Sequence, residues 1–236
     1  MLRPVEGSLC SVCGDSIPSI AGAAPQYSMV CGLCRRAKPP FAVARAFGSY
    51  EGNLRELIHL LKYERVHPAA ALLGAAIAPV LRGLTQQVGP DPLLIPVPLY
   101  NAKFRQRGFN QSEMIAREAL KSAPTLRPTL STRVLARVRD TQSQIGLTRH
   151  QRRENLRGAF VVRDPGKISG RPILLLDDVL TTGTTASECA RVLLRAGAKR
   201  VAVATVARTM KEAARLSLGQ VSGFEAPRAF VAASRG

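Results

Sequence analysis

Between residues 93 and 208 the apolar positions fall into two patterns. LLIPV (93–97), a stretch near 159–163, ILLLD (173–177) and VAVATV (201–206) are short, nearly continuous apolar runs. Their length suits strands buried on both faces and is too short for helices. Separating these runs are segments, at about 111–121 and 184–196, whose apolar residues recur every three or four positions, the second closed by Gly197. That is the spacing of amphipathic helices ending on a glycine. Alternation of strand and helix predicts an α/β fold, a parallel sheet with helices on both faces. In such sheets ligands sit beyond the carboxyl ends of the strands.

Upstream, ARAFGSY (44–50) reads as a strand, and Asn53 reads as the cap of a helix to residue 63 with Leu54, Leu57, Ile58 and Leu61 on its apolar side. Residues 68–84 form a second, Ala/Leu-rich helix before Gly89-Pro90-Asp91-Pro92 breaks the chain. Residues 133–157 are Arg-rich with few apolar positions and read as a polar loop. The expected organisation is a metal module over 1–38, a stiff joint at Lys38-Pro39-Pro40, and a helical hood over 39–90. A core over 91–208 and a partly disordered tail over 209–236 complete it.

Composition narrows the partners. With 236 residues, 46% of them hydrophobic, the chain can bury one full-sized core plus a small satellite. The first twenty residues include Arg3, Glu6, two cysteines and Asp15, unlike a secretory signal, and no long uncharged apolar stretch occurs. A cytoplasmic protein without membrane insertion is expected. The formal charge of +18 points to polyanionic partners, phosphorylated ligands or nucleic acid. With no Trp, four Tyr and seven Phe, single strands would be held by charge more than by stacking.

Four of the five cysteines form Cys10-x2-Cys13 and Cys31-x2-Cys34, with seventeen residues between the pairs. This is the spacing of a zinc ribbon, with Gly14 and Gly32 available for tight knuckles. Two disulfides are the rival, one that a reducing compartment disfavours. Four protein ligands leave a Zn²⁺ ion no open position, so its role would be structural. Cys189, inside a predicted helix, reads as a small core residue.

The densest chemistry follows the run ending at Leu176. Asp177 and Asp178 stand where that strand emerges, and Thr181-Thr182-Gly183-Thr184-Thr185 then turns into a helix. Backbone N–H groups, four hydroxyls and a helix N-terminus favour a phosphate in the loop, while the neighbouring acids can accept from a diol. Together they suit a ribose 5-phosphate group.

This stretch resembles the 5-phosphoribosyl 1-pyrophosphate (PRPP) signature of type I phosphoribosyltransferases. FGSYEGNLRELIHLLKY (47–63), PVPLYNAKFRQRGFNQ (96–111) and QIGLTRHQRRENLRGAF (144–160), together with the four-Cys module, narrow the resemblance to the ComF family over about residues 8–208. The resemblance implies that Asp177 and Asp178 hold the ribose hydroxyls and Thr181, Thr182, Gly183, Thr184 and Thr185 cradle the 5-phosphate. Lys103, Arg105 and Arg107 fall where the family places its pyrophosphate loop, with Mg²⁺ accompanying PRPP. Arg149, Arg152 and Arg153 match a mobile catalytic loop, and the same arginines could instead run along DNA phosphates. Gln144 and Asn155 match family positions without a readable role. Lys62 and Tyr63 match its LKY, where a helix-end contact and a substrate contact explain them equally. His59, His67 and His150 read as structural or solvent-facing. ComF membership implies work on single-stranded DNA during natural transformation, beside helicase and recombination proteins. An active phosphoribosyltransferase of nucleotide metabolism, forming an N-glycosidic bond with release of pyrophosphate, and a nucleotide-sensing regulator are the alternatives.

Overall fold

The structure, a computed structural model, describes residues 1–17, 29–141 and 148–210, with the backbone alone for Arg149, His150 and Arg153. Gln144 and almost all of the expected 209–236 tail lie outside the described residues.

Helix α1 (Gly32–Arg36) belongs to the cysteine module, and strand β1 (Val43–Ser49) follows it. Helix α2 (Gly52–His59) runs into a single π turn (Leu60–Glu64), after which comes α3 (Ala69–Val88). Next are β2 (Leu93–Pro96), α4 (Asn101–Arg107), α5 (Gln111–Ser122), β3 (Thr129–Leu130) and β4 (Leu135–Arg137). Helix α6 (Arg149–Leu156), β5 (Phe160–Val162), β6 (Pro172–Leu180), α7 (Thr184–Arg195) and β7 (Arg200–Arg208) complete the described chain.

Five strands form one sheet in the order β1-β7-β6-β2-β3, every pair parallel, while β4 and β5 make a separate antiparallel ribbon. Successive side chains of β6 point to opposite faces, as strand geometry requires. Leu174 and Leu176 enter a core with Leu73, Ile77, Leu81 and Leu84 of α3 and Ile115 and Ala119 of α5. Ile173 and Leu175 enter another with Ala186, Cys189, Ala190 and Leu193 of α7, Leu156 and Phe160. Both faces of this sheet are covered, as the runs at 93–97, 173–177 and 201–206 require, and Cys189 is a core residue; the run near 159–163 instead forms β5 of the ribbon, with Val161 exposed. Each fully buried Leu or Ile contributes about 1.5–3 kcal/mol, so the two cores hold the sheet rigid under whatever its edges carry. Helix α3 is long and apolar enough to cross a membrane by length and composition. Its stripe of Leu73, Ile77, Leu81 and Leu84 is fully buried against the sheet and α5, which is the position of a core helix.

The elements depart from expectation where sequence signals were weak. Helix α2 starts at Gly52 with Glu51 at its cap, so Asn53 lies inside it. Residues 101–107, expected as a basic loop, are helical: none of their side chains is buried, so no apolar period marked them, although Ala, Lys, Arg and Gln all favour helix. Part of the expected polar loop 133–157 is likewise β4 and α6. A reciprocal cap starts α6, the Gln151 N–H donating to Thr148 Oγ1 at 3.3 Å and the Thr148 N–H to Gln151 Oε1 at 2.8 Å.

Candidate functional site

Strand order reverses between β2 and β6: β2 is joined through α5 to β3 on one side, and its other neighbour is β6. The crevice beyond the carboxyl ends at such a switch is where doubly wound folds bind ligands. Asp177 and Asp178 stand there, inside β6, whose pairing with β7 continues to Leu180 opposite Arg208. Each carboxylate is fixed through its Oδ1. Asp177 Oδ1 accepts from the Asp178 N–H at 2.9 Å and from Ser112 Oγ at 3.1 Å, and Asp178 Oδ1 accepts from the Val179 N–H at 2.9 Å. Asn110 places that serine: its side chain caps α5 by accepting from the Ser112 N–H at 3.0 Å and donates to Val97 O, just past β2, at 3.0 Å.

The chain then bends through Thr181 and Thr182 to Gly183, at φ +73°, and α7 begins at Thr184. A left-handed residue at the cap is what glycine allows at no steric cost, and it opens a twelve-residue helix whose first N–H groups have no acceptor within the helix. Thr182 Oγ1 and Thr184 Oγ1 lie 2.8 Å apart in a hydrogen bond. The loop borders a cavity of about 420 Å³ whose far wall is the cysteine module, through Cys13, Leu33 and Cys34, with Phe41 and Arg208. Arg152 of α6 lines the same cavity beside Thr181 and Thr182, so one of the two arginines expected to act catalytically reaches the loop. The side chain of the other, Arg149, lies outside the described residues.

Cations face the acids from the other side. The helical backbone of α4 puts Lys103 and Arg107 on one face, four positions apart, and Arg105 off that face; Arg107 is half-buried, while Lys103 and Arg105 are both exposed. Arg107 donates to Gln111 Oε1 and stacks over the Tyr63 ring at 5.7 Å. Lys62, on the π turn, forms an ion pair with Asp178 Oδ2, its side chain 16% exposed against 7% for Asp178. The LKY match left this lysine's role open, and the structure puts it in the site. Arg137, which no sequence signal marked, stacks on Phe160 at 5.6 Å and adds positive potential at Asp177. The histidines read as structural or solvent-facing make local contacts: His59 lies against Tyr63 and pairs with Glu64 at 3.4 Å, and His67 meets Phe109 edge-on.

Burial pushes the Asp177 carboxyl up to about 6, against the opposing pull of Lys62, Ser112 and Arg137. Burial also lowers the Lys62 ammonium to about 8, Asp177 opposing and Arg107 and Lys103 adding to the fall. The raised Asp177 value contributes stability below the unfolded value of 3.8 that is lost as pH rises through about 6. The lowered Lys62 value contributes stability above 10.5 that is lost as pH falls through about 8. At neutral pH neither contribution remains, so the site holds its charges at a cost to the fold. A ligand diol needs the ionised acid. If the site takes the ribose phosphate that the sequence resemblance implies, its affinity is expected to fall below about pH 6, by up to about tenfold per unit for one proton. Calorimetric titration of the wild-type chain and Asp177→Asn checks this: the difference between their pH profiles cancels the ligand's own ionisation, and parallel profiles would exclude Asp177 as the titrating group.

The four cysteine Sγ atoms of Cys10, Cys13, Cys31 and Cys34 lie within 4.8 Å of one another. Tetrahedral zinc with bonds of about 2.3 Å needs sulfurs about 3.8 Å apart, and Cys13 and Cys31 Sγ are 3.7 Å apart. The cluster could therefore hold a metal such as zinc. Burial pushes the Cys13 thiol up to about 11 and Cys34 higher, so both keep their protons unless a cation displaces them. Burial also opposes ionisation of Cys10, but N–H groups of Cys31, Cys13 and Val12 outweigh it and draw that thiol down to about 7. Gly14, at φ +68°, makes the first knuckle, and a Cβ there would meet Ala44 O at 2.7 Å; Gly32 is an ordinary helical residue of α1. The module is stitched to the sheet. Arg208 at the end of β7 donates to Cys13 O at 2.7 Å and pairs with Asp15 at 3.4 Å, both side chains buried, and Arg45 of β1 donates to Ser11 O at 3.1 Å.

The phosphoribosyl transferase domain family matches residues 115–234. The chain is 32% identical over 212 residues to the DNA utilization protein YhgH of Salmonella typhi, an alignment covering 86% of this chain and 91% of that one. It is 30% identical over 218 residues to competence protein F of Haemophilus influenzae, covering 88% and 93%. It is 25% identical over 215 residues to competence protein ComFC of Bacillus subtilis, covering 84% and 82%.

Proposed function

Since the chain belongs to the ComF family of phosphoribosyl transferase domain proteins, we propose that it binds PRPP or a related ribose 5-phosphate ligand with Mg²⁺ and acts on single-stranded DNA during DNA uptake. The observation behind this reading is the acid pair of β6. Asp177 and Asp178, each anchored through one oxygen, sit just ahead of the threonine loop that opens at Thr181 and leads into the helix beginning at Thr184. A ribose 5-phosphate needs a diol acceptor and a phosphate cradle at that separation.

On this reading Thr181 to Thr185 and the first turn of α7 take the 5-phosphate, with Arg152 at its flank. Asp177 and Asp178 accept from the 2′ and 3′ hydroxyls. Lys103 and Arg107 face the pyrophosphate on C1, with Arg105 free to meet a more distant phosphate. Bound Mg²⁺ neutralises charge on the pyrophosphate oxygens. The four cysteines hold a structural Zn²⁺, which fixes the wall of the cavity beside the phosphate loop. The charge of +18 gives the strand its footing, in the cytoplasm beside helicase and recombination proteins.

Two titrations test the proposal. Calorimetry with Mg²⁺-PRPP should give saturable one-to-one binding. Fluorescence anisotropy with a labelled oligodeoxynucleotide should show affinity falling about fiftyfold between 50 and 200 mM salt if about four phosphates are neutralised. Binding of neither ligand at low salt would remove the proposal. Adding bases and amines to the PRPP complex and watching for pyrophosphate release separates a transferase from a binding protein.

A further inference from the structure

Asp178 offers a diol less than its position suggests. Its Oδ1 is committed to the Val179 N–H at 2.9 Å. Its Oδ2, the oxygen left for a ligand, is shut off from solvent, and the Lys62 ammonium lies against it. A sugar hydroxyl reaches that oxygen only after Lys62 leaves.

Lys62 is set there by unusual backbone. It sits on a π turn, whose extra residue re-aims the side chains it carries. The turn ends at Arg65 in the left-handed region, φ 57°. The Arg65 guanidinium donates to Gln106 O at 2.7 Å, which ties the turn to α4. The charged groups facing Lys62 are Asp177 and Asp178 from β6 and Lys103 and Arg107 from α4. Displaced from Asp178, its ammonium would lose its ion-pair partner while Lys103 and Arg107 still repel it. The move is costly unless an anion arrives with the sugar.

We propose that Lys62 is a charge gate on the diol site, a specificity residue that yields Asp178 to the sugar only when a pyrophosphate on C1 takes the ammonium in exchange. The inference rests on the phosphosugar reading above and adds selection to it. PRPP brings the exchange partner in the same molecule, whereas ribose 5-phosphate carries its phosphate at the far end, toward Thr181 to Thr185, and has at C1 only a neutral hydroxyl to offer Lys62. The gate therefore rejects the hydrolysed ligand while admitting the activated one. Its burial contributes, because a desolvated ammonium exchanges one anion for another more readily than it goes unpaired.

The experiment is calorimetric titration of the full chain with PRPP and with ribose 5-phosphate, both with Mg²⁺, on wild type, Lys62→Met and Lys62→Arg. Wild type should prefer PRPP by about 100-fold or more, since an unpaired buried charge costs several-fold to hundreds-fold in affinity. In Lys62→Met, ribose 5-phosphate should bind about tenfold tighter than it does to wild type while PRPP weakens, so the preference collapses. Lys62→Arg, which keeps the charge, should retain it. A wild-type measurement guards against misfolding of the methionine variant: Mg²⁺-pyrophosphate should tighten ribose 5-phosphate binding about tenfold, and the reverse by the same factor, although both ligands are anions. Equal weakening of both sugars in Lys62→Met, or mutual antagonism of pyrophosphate and ribose 5-phosphate in wild type, overturns the gate and leaves the phosphosugar site standing. Absence of PRPP binding to wild type overturns both.

Discussion

The Asp177→Asn/Asp178→Asn double variant is expected to bind Mg²⁺-PRPP at least about a hundredfold more weakly than wild type, since hydrogen bonds to ionised groups contribute about 1.5–3 kcal/mol each and two acids are neutralised. Asparagine is nearly isosteric, but the anchoring would change with it: the Oδ1 atoms that accept from the Asp178 and Val179 N–H groups and from Ser112 would carry far less negative charge. Asparagine at 178 also strips Lys62 of its partner. Breaking a buried pair from one side can cost about 3–5 kcal/mol, so each variant's melting temperature belongs beside its affinity. Asp177→Asn alone leaves the Lys62–Asp178 pair in place and should keep its stability while losing affinity. Calorimetry on both single variants and the double checks this. Unchanged PRPP affinity in a folded double variant would remove these acids from the site, whatever ligand the loop then holds.

How much of this was legible beforehand can be traced residue by residue. The sheet was legible because burial on both faces forces continuous apolar runs, and no other element writes ILLLD or VAVATV. The acids and the threonine loop were legible because chemistry and chain direction coincide there: strand end, carboxylates, glycine and helix start follow within nine residues, 176 to 184. Helices α4 and α6 were hidden because neither buries an apolar stripe that periodicity could register. The Thr148-x-x-Gln151 cap is the local signal for α6 that the sequence carries. Lys62 and Ser112 are a different matter. Their contacts with Asp178 and Asp177 span 116 and 65 positions, and a lysine at a helix end or a serine in a first turn looks the same in sequence whether it faces water or a buried acid. The same holds for Arg208, 193 residues from the Asp15 it pairs with. Sequence located what the local backbone builds, and the long-range electrostatics that tune it emerged only from the fold.

Those long-range contacts make metal removal the second large effect. The purified chain should carry about one equivalent of zinc by elemental analysis, and stripping it, or substituting Cys34→Ser, should lower the melting temperature by about 10 °C or more. Among the described residues the apolar side chains around the thiols are few: Val12, Ile17, Val30 and Leu33 lie against Cys10, Cys31 and Cys34. Segments that short rarely fold on hydrophobic burial, and a structural zinc supplies about 10–16 kcal/mol to a peptide of this kind. Burial holds Cys13 and Cys34 protonated without a cation, so metal loss returns protons to thiols rather than leaving four thiolates exposed. The damage would not stay in the module. Its loss would unseat Cys13 O and Asp15 from Arg208, a guanidinium buried at the end of β7, and an unpaired buried cation is among the costlier defects a fold can carry. About 3–5 kcal/mol lost in a chain of this size corresponds to the stated shift at about 2–4 °C per kcal/mol. An Arg208→Met variant separates the two contributions: with the cation gone, metal removal should cost less than it does in wild type. A chain that binds no metal, or that melts at the same temperature with its thiols stripped, would mean that the cysteines hold the module by packing alone.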